Sequence, residues 1–288
     1  MKNLLANLSL MLRAQLLLPS FLLSILLSIL SLVNGNRAIA ADLSTIRDRG
    51  YLTVAVKNNL PPLGFVDAAG NLDGFEIEIA RRLAEELLGD ASAVRLVPVQ
   101  NVDRLNAVLE DRVDIAIADI TITEPRRRII NFSYPYYLDG VAFITHNSSV
   151  QTLPDLRTAT IALLNLSSTV PHVRYSLPGA RLIGVASYAE GQQLLAAGEV
   201  DAFAGDLSVL TGWQRNDPSA YRLLSSYLSA EPLSIAMPKG AQYSDLQRAI
   251  NQALQRWYEE GWLQERAAFW GLPAAASQFV NLGAEPAQ

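Results

Sequence analysis

The stretch Gly74-Phe-Glu-Ile-Glu-Ile-Ala-Arg-Arg-Leu-Ala-Glu-Glu-Leu-Leu88 lies between two short apolar runs, residues 51–56 before it and 94–98 after it. Ile77, Ala80, Ala84 and Leu88 recur at helical spacing, with Phe75, Ile79, Leu83 and Leu87 beside them, so the spacing predicts a helix over 74–88 that buries a wide face. Gly89 ends it. The run Tyr51-Leu-Thr-Val-Ala-Val56 is apolar without alternation, as a strand covered on both faces must be. A helix flanked by two such strands is a βαβ unit, and its sheet is mostly parallel.

Outward from that unit the pattern continues. Asp42 caps a short helix over 43–49 that Gly50 stops. Pro61-Pro62 forces a loop, and Gly70-Asn71 signals a hairpin. A helix over 102–110 and a strand over 113–118 follow. Past the aromatic run 132–137 the order starts again, with strands over 142–145, 160–164, 181–185 and 202–204 and helices from Ser168 and over 188–197. A strand over 233–237, a helix over 244–259 and a Trp-rich helix ending near Gly271 close the chain, before a small-residue tail.

The chain has 288 residues, half of them apolar, which suffices for a sizeable core or two lobes. Residues 1–40 stand apart. Lys2 and Arg13 precede or border an uncharged apolar run over 16–33, and Ala38-Ile39-Ala40 closes the segment. This is the order of a secretory signal peptide cleaved near Ala40, the alternative being an uncleaved anchor. Cleavage removes Lys2, Arg13 and Arg37 and no acid, so the remainder is more acidic than the −5 of the whole chain. An acidic surface disfavours nucleic acid. Cysteine is absent, which excludes disulfides, thiolate metal sites and the lipid-bearing cysteine of a lipoprotein. The two histidines, His146 and His172, have no partner at metal-ligand spacing, and neither a phosphate loop nor a nucleophile elbow occurs.

The segment over 74–87 resembles the signature of the bacterial extracellular solute-binding proteins, family 3, which serve amino-acid ABC importers. The resemblance extends through Val113-Asp-Ile-Ala-Ile-Ala-Asp-Ile-Thr-Ile-Thr-Glu-Pro-Arg126, Asn131-Phe-Ser-Tyr-Pro-Tyr-Tyr137, Val200-Asp-Ala-Phe-Ala-Gly-Asp206 and Glu231-Pro-Leu-Ser-Ile-Ala-Met-Pro-Lys-Gly240. It implies an α/β fold, the two-lobed type II periplasmic binding fold, each lobe a mixed, mostly parallel sheet flanked by helices. Lobe 1 is then 42–139 plus 233–275, lobe 2 is 140–232, and 276–288 is a tail. It also implies a periplasmic monomer, without cofactor or metal, that traps a free polar or neutral amino acid between its lobes and passes it to a membrane permease of an ABC importer. The alternatives are an extracytoplasmic amino-acid sensor and a dehydratase acting on prephenate-like acids.

A free amino acid offers a carboxylate and an ammonium on one carbon, so its site needs a cation with directed donors and an acid. By the resemblance these are Arg126 and Asp206. Arg126 stands three residues after Thr123, a helix N-cap with Pro125 in the first turn; Asp206 follows an apolar strand, and its other reading is a cap for the helix starting at Leu207. Arg127 and Arg128 read as solvated. Thr121 and Ser168 add hydroxyl contacts, although Ser167-Ser168-Thr169 is also an ordinary capping sequence. Leu60 and Leu63 occupy a turn where relatives carry aromatics, which points to a smaller or aliphatic ligand. Leu166 stands where glycine is usual. Asp119 stands where a neutral residue is usual, and either contacts the ammonium, favours a basic side chain, or serves a buried structural hydrogen bond. Tyr134, Tyr136 and Tyr137 are read as packing at the joint between lobes.

Overall fold

The computed structural model describes residues 41–225 and 228–273. The expected leader over 1–40 and the tail over 276–288 lie outside the described residues. Asp42 accepts the Thr45 N–H at 2.8 Å and opens α1 (Leu43–Arg49), which Gly50 ends in the left-handed conformation. Then come β1 (Leu52–Val56), β2 (Asn59–Leu60), β3 (Gly64–Val66), β4 (Leu72–Asp73), α2 (Phe75–Leu88), β5 (Val94–Pro98), α3 (Asn106–Leu109), β6 (Ile115–Ile117), α4 (Glu124–Ile129) and β7 (Asn131–Asp139). Beyond Gly140 lie β8 (Val141–Thr145), β9 (Thr160–Leu164), α5 (Thr169–Ser176), β10 (Arg181–Val185), α6 (Tyr188–Ala196), β11 (Ala202–Asp206), α7 (Leu207–Asn216) and β12 (Arg222–Leu223). The chain ends in β13 (Glu231–Met237), α8 (Ser244–Glu259) and α9 (Trp262–Phe269).

The strands form two five-stranded sheets, in the orders β5-β1-β6-β13-β7 and β10-β9-β11-β8-β12, with β2-β3-β4 as a small separate sheet. In the first sheet only β13 runs against the others, and in the second only β8 does. Each lobe is therefore a mixed, mostly parallel sheet. Val54 and Val56 face the cluster that α2 joins through Ile79 and Leu83, while Ala55 faces a second one with Ala107, Val108 and Ala118. Cover on both faces explains why β1 is apolar throughout.

β7 leaves the first sheet and enters the second through Gly140, and β13 returns from the second to the first. The two crossing strands pair antiparallel, with Glu231 opposite Asp139 and Pro232 opposite Leu138. The aromatic run 132–137, read as packing without a strand of its own, is the middle of β7. Its Pro135 is accommodated because β7 is the sheet edge. The helix expected over 102–110 shrinks to α3, because residues 101–105 form turns in which Arg104 reaches back to the carbonyl of Ala118 at 3.0 Å.

Gly74 holds the start of α2. Its φ is 126°, and a Cβ there would collide with the carbonyl of Leu63. That close approach lets the Pro62 and Leu63 carbonyls accept the N–H groups of Phe75 and Glu76 at 3.1 and 2.9 Å, two of the four donors a helix start leaves open. Phe75 is fully buried and meets Tyr136 and Tyr137 of β7 edge to face, at centroid distances of 6.2 and 6.1 Å. Phe75→Ala is expected to lower the unfolding free energy by about 3–5 kcal/mol. Phe269→Ala, at an exposed ring, is expected to cost less than about 1 kcal/mol. Urea titration of both variants checks the contrast.

Candidate functional site

The residues expected at the site lie where strands or the loops after them end, the edge at which α/β sheets bind ligands. In lobe 1, the turn after β6 carries Asp119 and Thr121, buried at 5% and 4% exposure. Asp119 has φ 56°, a left-handed conformation that asparagine and aspartate tolerate better than most side chains. That geometry turns its N–H toward Oε1 of the fully buried Glu76, 2.7 Å away in the first turn of α2. The same oxygen accepts the Tyr136 hydroxyl at 2.5 Å. Arg104 donates to the Asp119 carbonyl and lies 3.4 Å from its carboxylate. Burial, then the charge of Asp206, pushes the Asp119 carboxyl well above the usual range; burial also raises Glu76, against the hydrogen bonds from Tyr136 and Asp119. The hydrogen bonds to Glu76 and from Arg104 are made by the Asp119 backbone; of its carboxylate, Oδ2 lies near Arg104 and Oδ1 has no partner among the described residues.

Thr123 caps α4 with Pro125 in its first turn, as expected, and this fixes Arg126. The half-buried guanidinium donates to the carbonyl of Thr121 at 2.8 Å and to that of Leu166, across in lobe 2, at 3.4 Å. Burial first and Arg104 second lower its pKa to about 10, which leaves it charged at neutral pH. Arg127 and Arg128 are exposed. Leu166, at φ 60°, adopts a backbone conformation in which glycine is unstrained, the second such residue at this site.

Ser168 of lobe 2 starts α5 without capping it. Its Oγ instead lies 3.1 Å from Oγ1 of Thr121, so the hydroxyl pair bridges the lobes. Asp206, 6% exposed, stands at the N-cap of α7, yet its side chain makes no cap hydrogen bond. Asp139, at the end of β7, performs that task by accepting the Ser208 N–H at 3.1 Å and the Ser208 hydroxyl. Asp206 instead accepts the Tyr188 hydroxyl, while its own N–H donates to the same hydroxyl oxygen at 2.9 Å. The acid is left free of helix duty. Leu60 sits at 2% exposure in the main apolar cluster with Leu63 and Phe75.

Six further polar residues that the sequence reading passed over are buried in the same region: Glu76, Arg104, Lys57, Asn101, Asp139 and Tyr188. Two carried a signal. Glu76 shares a helical face with Ala80, Leu83 and Leu87, an acid inside an apolar stripe. Lys57 follows the apolar strand β1 directly, as Asp206 ends β11. Arg104 and Asn101 sit in turns where no period marks them. Asn101 donates to the Asn165 carbonyl of the other lobe at 2.8 Å.

The profile of the bacterial extracellular solute-binding proteins, family 3, matches residues 52–273. The chain belongs to this family. A glutamine-binding protein from Geobacillus stearothermophilus is 32% identical over 200 residues, 68% of this chain and 76% of the relative. Among solved structures, an ancestral arginine-binding protein bound to arginine is similar at 30% identity and TM-score 0.70, covering 77% of this chain and 99% of that one. An ancestral amino acid-binding protein described as a precursor of cyclohexadienyl dehydratase is similar at 26% identity and TM-score 0.72, covering 79% and 98%. The two-lobed fold of the solute-binding proteins is thus the fold of this chain. No helix among the described residues is long and apolar enough to cross a membrane.

The cap of α7 has a consequence in pH. Burial first and the charge of Asp206 second push the Asp139 carboxyl up to about 7, against the hydrogen bonds of Ser208 and Gly140. A carboxyl whose pKa rises on folding supports stability fully below its unfolded value of about 4, and loses that support as pH climbs through about 7. The protein is therefore expected to lose unfolding free energy between about pH 4 and 7 relative to Asp139→Asn, which cannot titrate. Matched urea titrations across that interval check this, and parallel curves for the two proteins would contradict it.

Proposed function

We propose that this chain is a periplasmic binding protein that captures a free amino acid between its lobes and delivers it to the membrane permease of an ABC importer. The lobes are taken as 42–139 plus 233–275 and 140–232, so each crossing lies beside the site. Arg126, with the hydroxyls of Thr121 and Ser168, receives the α-carboxylate. Asp206 receives the α-ammonium.

The observation that carries this reading is the division of labour at α7, where Asp139 caps the helix and leaves the buried carboxylate of Asp206 available beside the Tyr188 hydroxyl. A buried acid opposite a half-buried arginine matches the two charges that every free amino acid carries. The named ligands of two relatives, glutamine and arginine, differ in their side chains and share that α-carbon pair. Contacts made to both lobes by one small molecule favour the closed arrangement, and closure is what an importer reads. The leader over 1–40 would export the chain, and the released protein is taken as a monomer without cofactor.

We read the chain as a binder rather than an enzyme. The dehydratase alternative rests on kinship with a precursor that is itself named as an amino acid-binding protein.

Arg126→Ala is expected to weaken binding of the cognate amino acid by about 2–5 kcal/mol, well over tenfold in Kd, because the ligand carboxylate is left buried without its partner. Calorimetric titration of both proteins with the amino acid released from the purified protein measures this. Unchanged affinity would overturn the assignment.

A further inference from the structure

Three hydrogen bonds from lobe 1 converge on one short segment of lobe 2, residues 165–168 between β9 and α5. Arg126 reaches the Leu166 carbonyl at 3.4 Å, Thr121 Oγ1 lies 3.1 Å from Ser168 Oγ, and Asn101 Nδ2 donates to the Asn165 carbonyl at 2.8 Å. The first two use groups assigned to the α-carboxylate, so an amino acid bound there competes for them. The third uses no such group. Asn101 is 6% exposed, and Oδ1 of its amide has no partner among the described residues, so the bond to Asn165 is what holds that amide.

The place of this bond in the fold gives it leverage. In the first sheet, ordered β5-β1-β6-β13-β7, the crossing strands β13 and β7 lie at one edge, Thr121 and Arg126 follow β6 beside them, and Asn101 follows β5 at the opposite edge. In the second sheet, ordered β10-β9-β11-β8-β12, the crossing enters at β8, Asp206 ends the adjacent β11, and Asn165 follows β9 one strand further out. Each lobe thus runs in the same order, from hinge to ligand groups to the Asn101 and Asn165 pair. By strand spacing β5 lies about 14 Å from β13 and β6 about 5 Å. A rotation of the lobes about the crossing strands separates groups in proportion to that distance, so opening strains the outermost bond most.

The partner segment is itself tied down. The Asn165 N–H donates to the Val185 carbonyl at 2.9 Å, and the Ser167 N–H and hydroxyl donate to the Leu164 carbonyl at 3.3 and 2.8 Å. Residues 165–168 therefore move as one unit, and fixing the Asn165 carbonyl also fixes the hydroxyl of Ser168.

We infer that Asn101 is a positioning residue for ligand capture: its amide clasps residues 165–168 against lobe 1 on the side of the site away from the hinge. The clasp keeps Ser168 in register with Thr121 and slows release of the enclosed amino acid without touching it. This rests on the reading of two-lobed amino-acid capture above, and adds a determinant of affinity that is blind to the ligand side chain.

The test compares the purified protein with Asn101→Ala, which removes the amide, and Asn101→Asp, which keeps its size but turns the donor into an acceptor. Calorimetric titration and stopped-flow dissociation are run with L-glutamine, L-glutamate, L-arginine, L-cysteine and whichever amino acid the denatured protein releases, after thermal unfolding shows which variants fold. Asn101→Ala is expected to weaken binding by about three- to tenfold, the range of one net hydrogen bond. The same factor is expected for every amino acid that binds, carried by faster dissociation, with association rates within about twofold. Asn101→Asp is expected to weaken binding at least as much. Unchanged affinity in either folded variant overturns the inference. So does a loss confined to one amino acid, which marks a ligand contact, or a lowered melting temperature with unchanged dissociation rates, which marks a purely structural role. The amino-acid reading survives each of those results. Binding of none of these amino acids by the unaltered protein, with none released on denaturation, overturns that reading and the clasp together.

Discussion

The antiparallel pairing of β7 with β13 is the constraint on which the rest depends. Both passages between the sheets run through it, and the facing pair Asp139 and Glu231 sits where the strands leave one sheet for the other. Each residue has a second attachment: Asp139 to the first turn of α7, and Glu231 to His172 of α5 at 2.9 Å. The crossing is thus tied to two helices of the second lobe. Because Asp139 satisfies the start of α7, the neighbouring Asp206 is spared that duty, and the candidate site inherits a carboxylate from the joint.

A second consequence is electrostatic. Glu76, Asp119, Asp139, Asp206 and Glu231 are all below 7% exposure, with Lys57 and Arg104 buried among them. Charges withdrawn from water at this density are tolerated only through close hydrogen bonding, shifted protonation and mutual compensation. The hydrogen bonds are present at Glu76, Asp139 and Asp206, and burial drives protons toward Asp119 and Glu76. A molecule with complementary charges has most to gain at such a place, which links the folding cost of the cluster to its use in binding.

Much of this architecture was legible in the sequence. Helical spacing marked α2 and α8, largely apolar runs marked β1 and β9, and Thr123 with Pro125 marked the start of α4. Harder to read was whatever depends on a partner distant in sequence. The run 132–137 forms a strand because β13 lies beside it, and residues 101–105 leave the helical pattern because Arg104 is drawn to the carbonyls after β6. The cap of α7 shows the same limit, since an aspartate just before a helix reads as its cap until Asp139 arrives from 69 residues away in the chain. Lys57 and Glu76 were within reach, as charged residues adjoining or interrupting apolar patterns. Leu166 and Asp119 looked like departures from a glycine and a neutral residue, and both prove to hold left-handed backbone next to Arg126 or Arg104.

The central claim is that one small ligand joins Arg126 of the first lobe to Asp206 of the second. A crystal structure with the bound amino acid tests it most directly. The account predicts the α-carboxylate at about 2.7–2.9 Å from the Arg126 guanidinium, with the α-ammonium on the Asp206 carboxylate. An amino acid bound elsewhere, or bound between the lobes with Arg126 still turned to the carbonyls of Thr121 and Leu166, would contradict it.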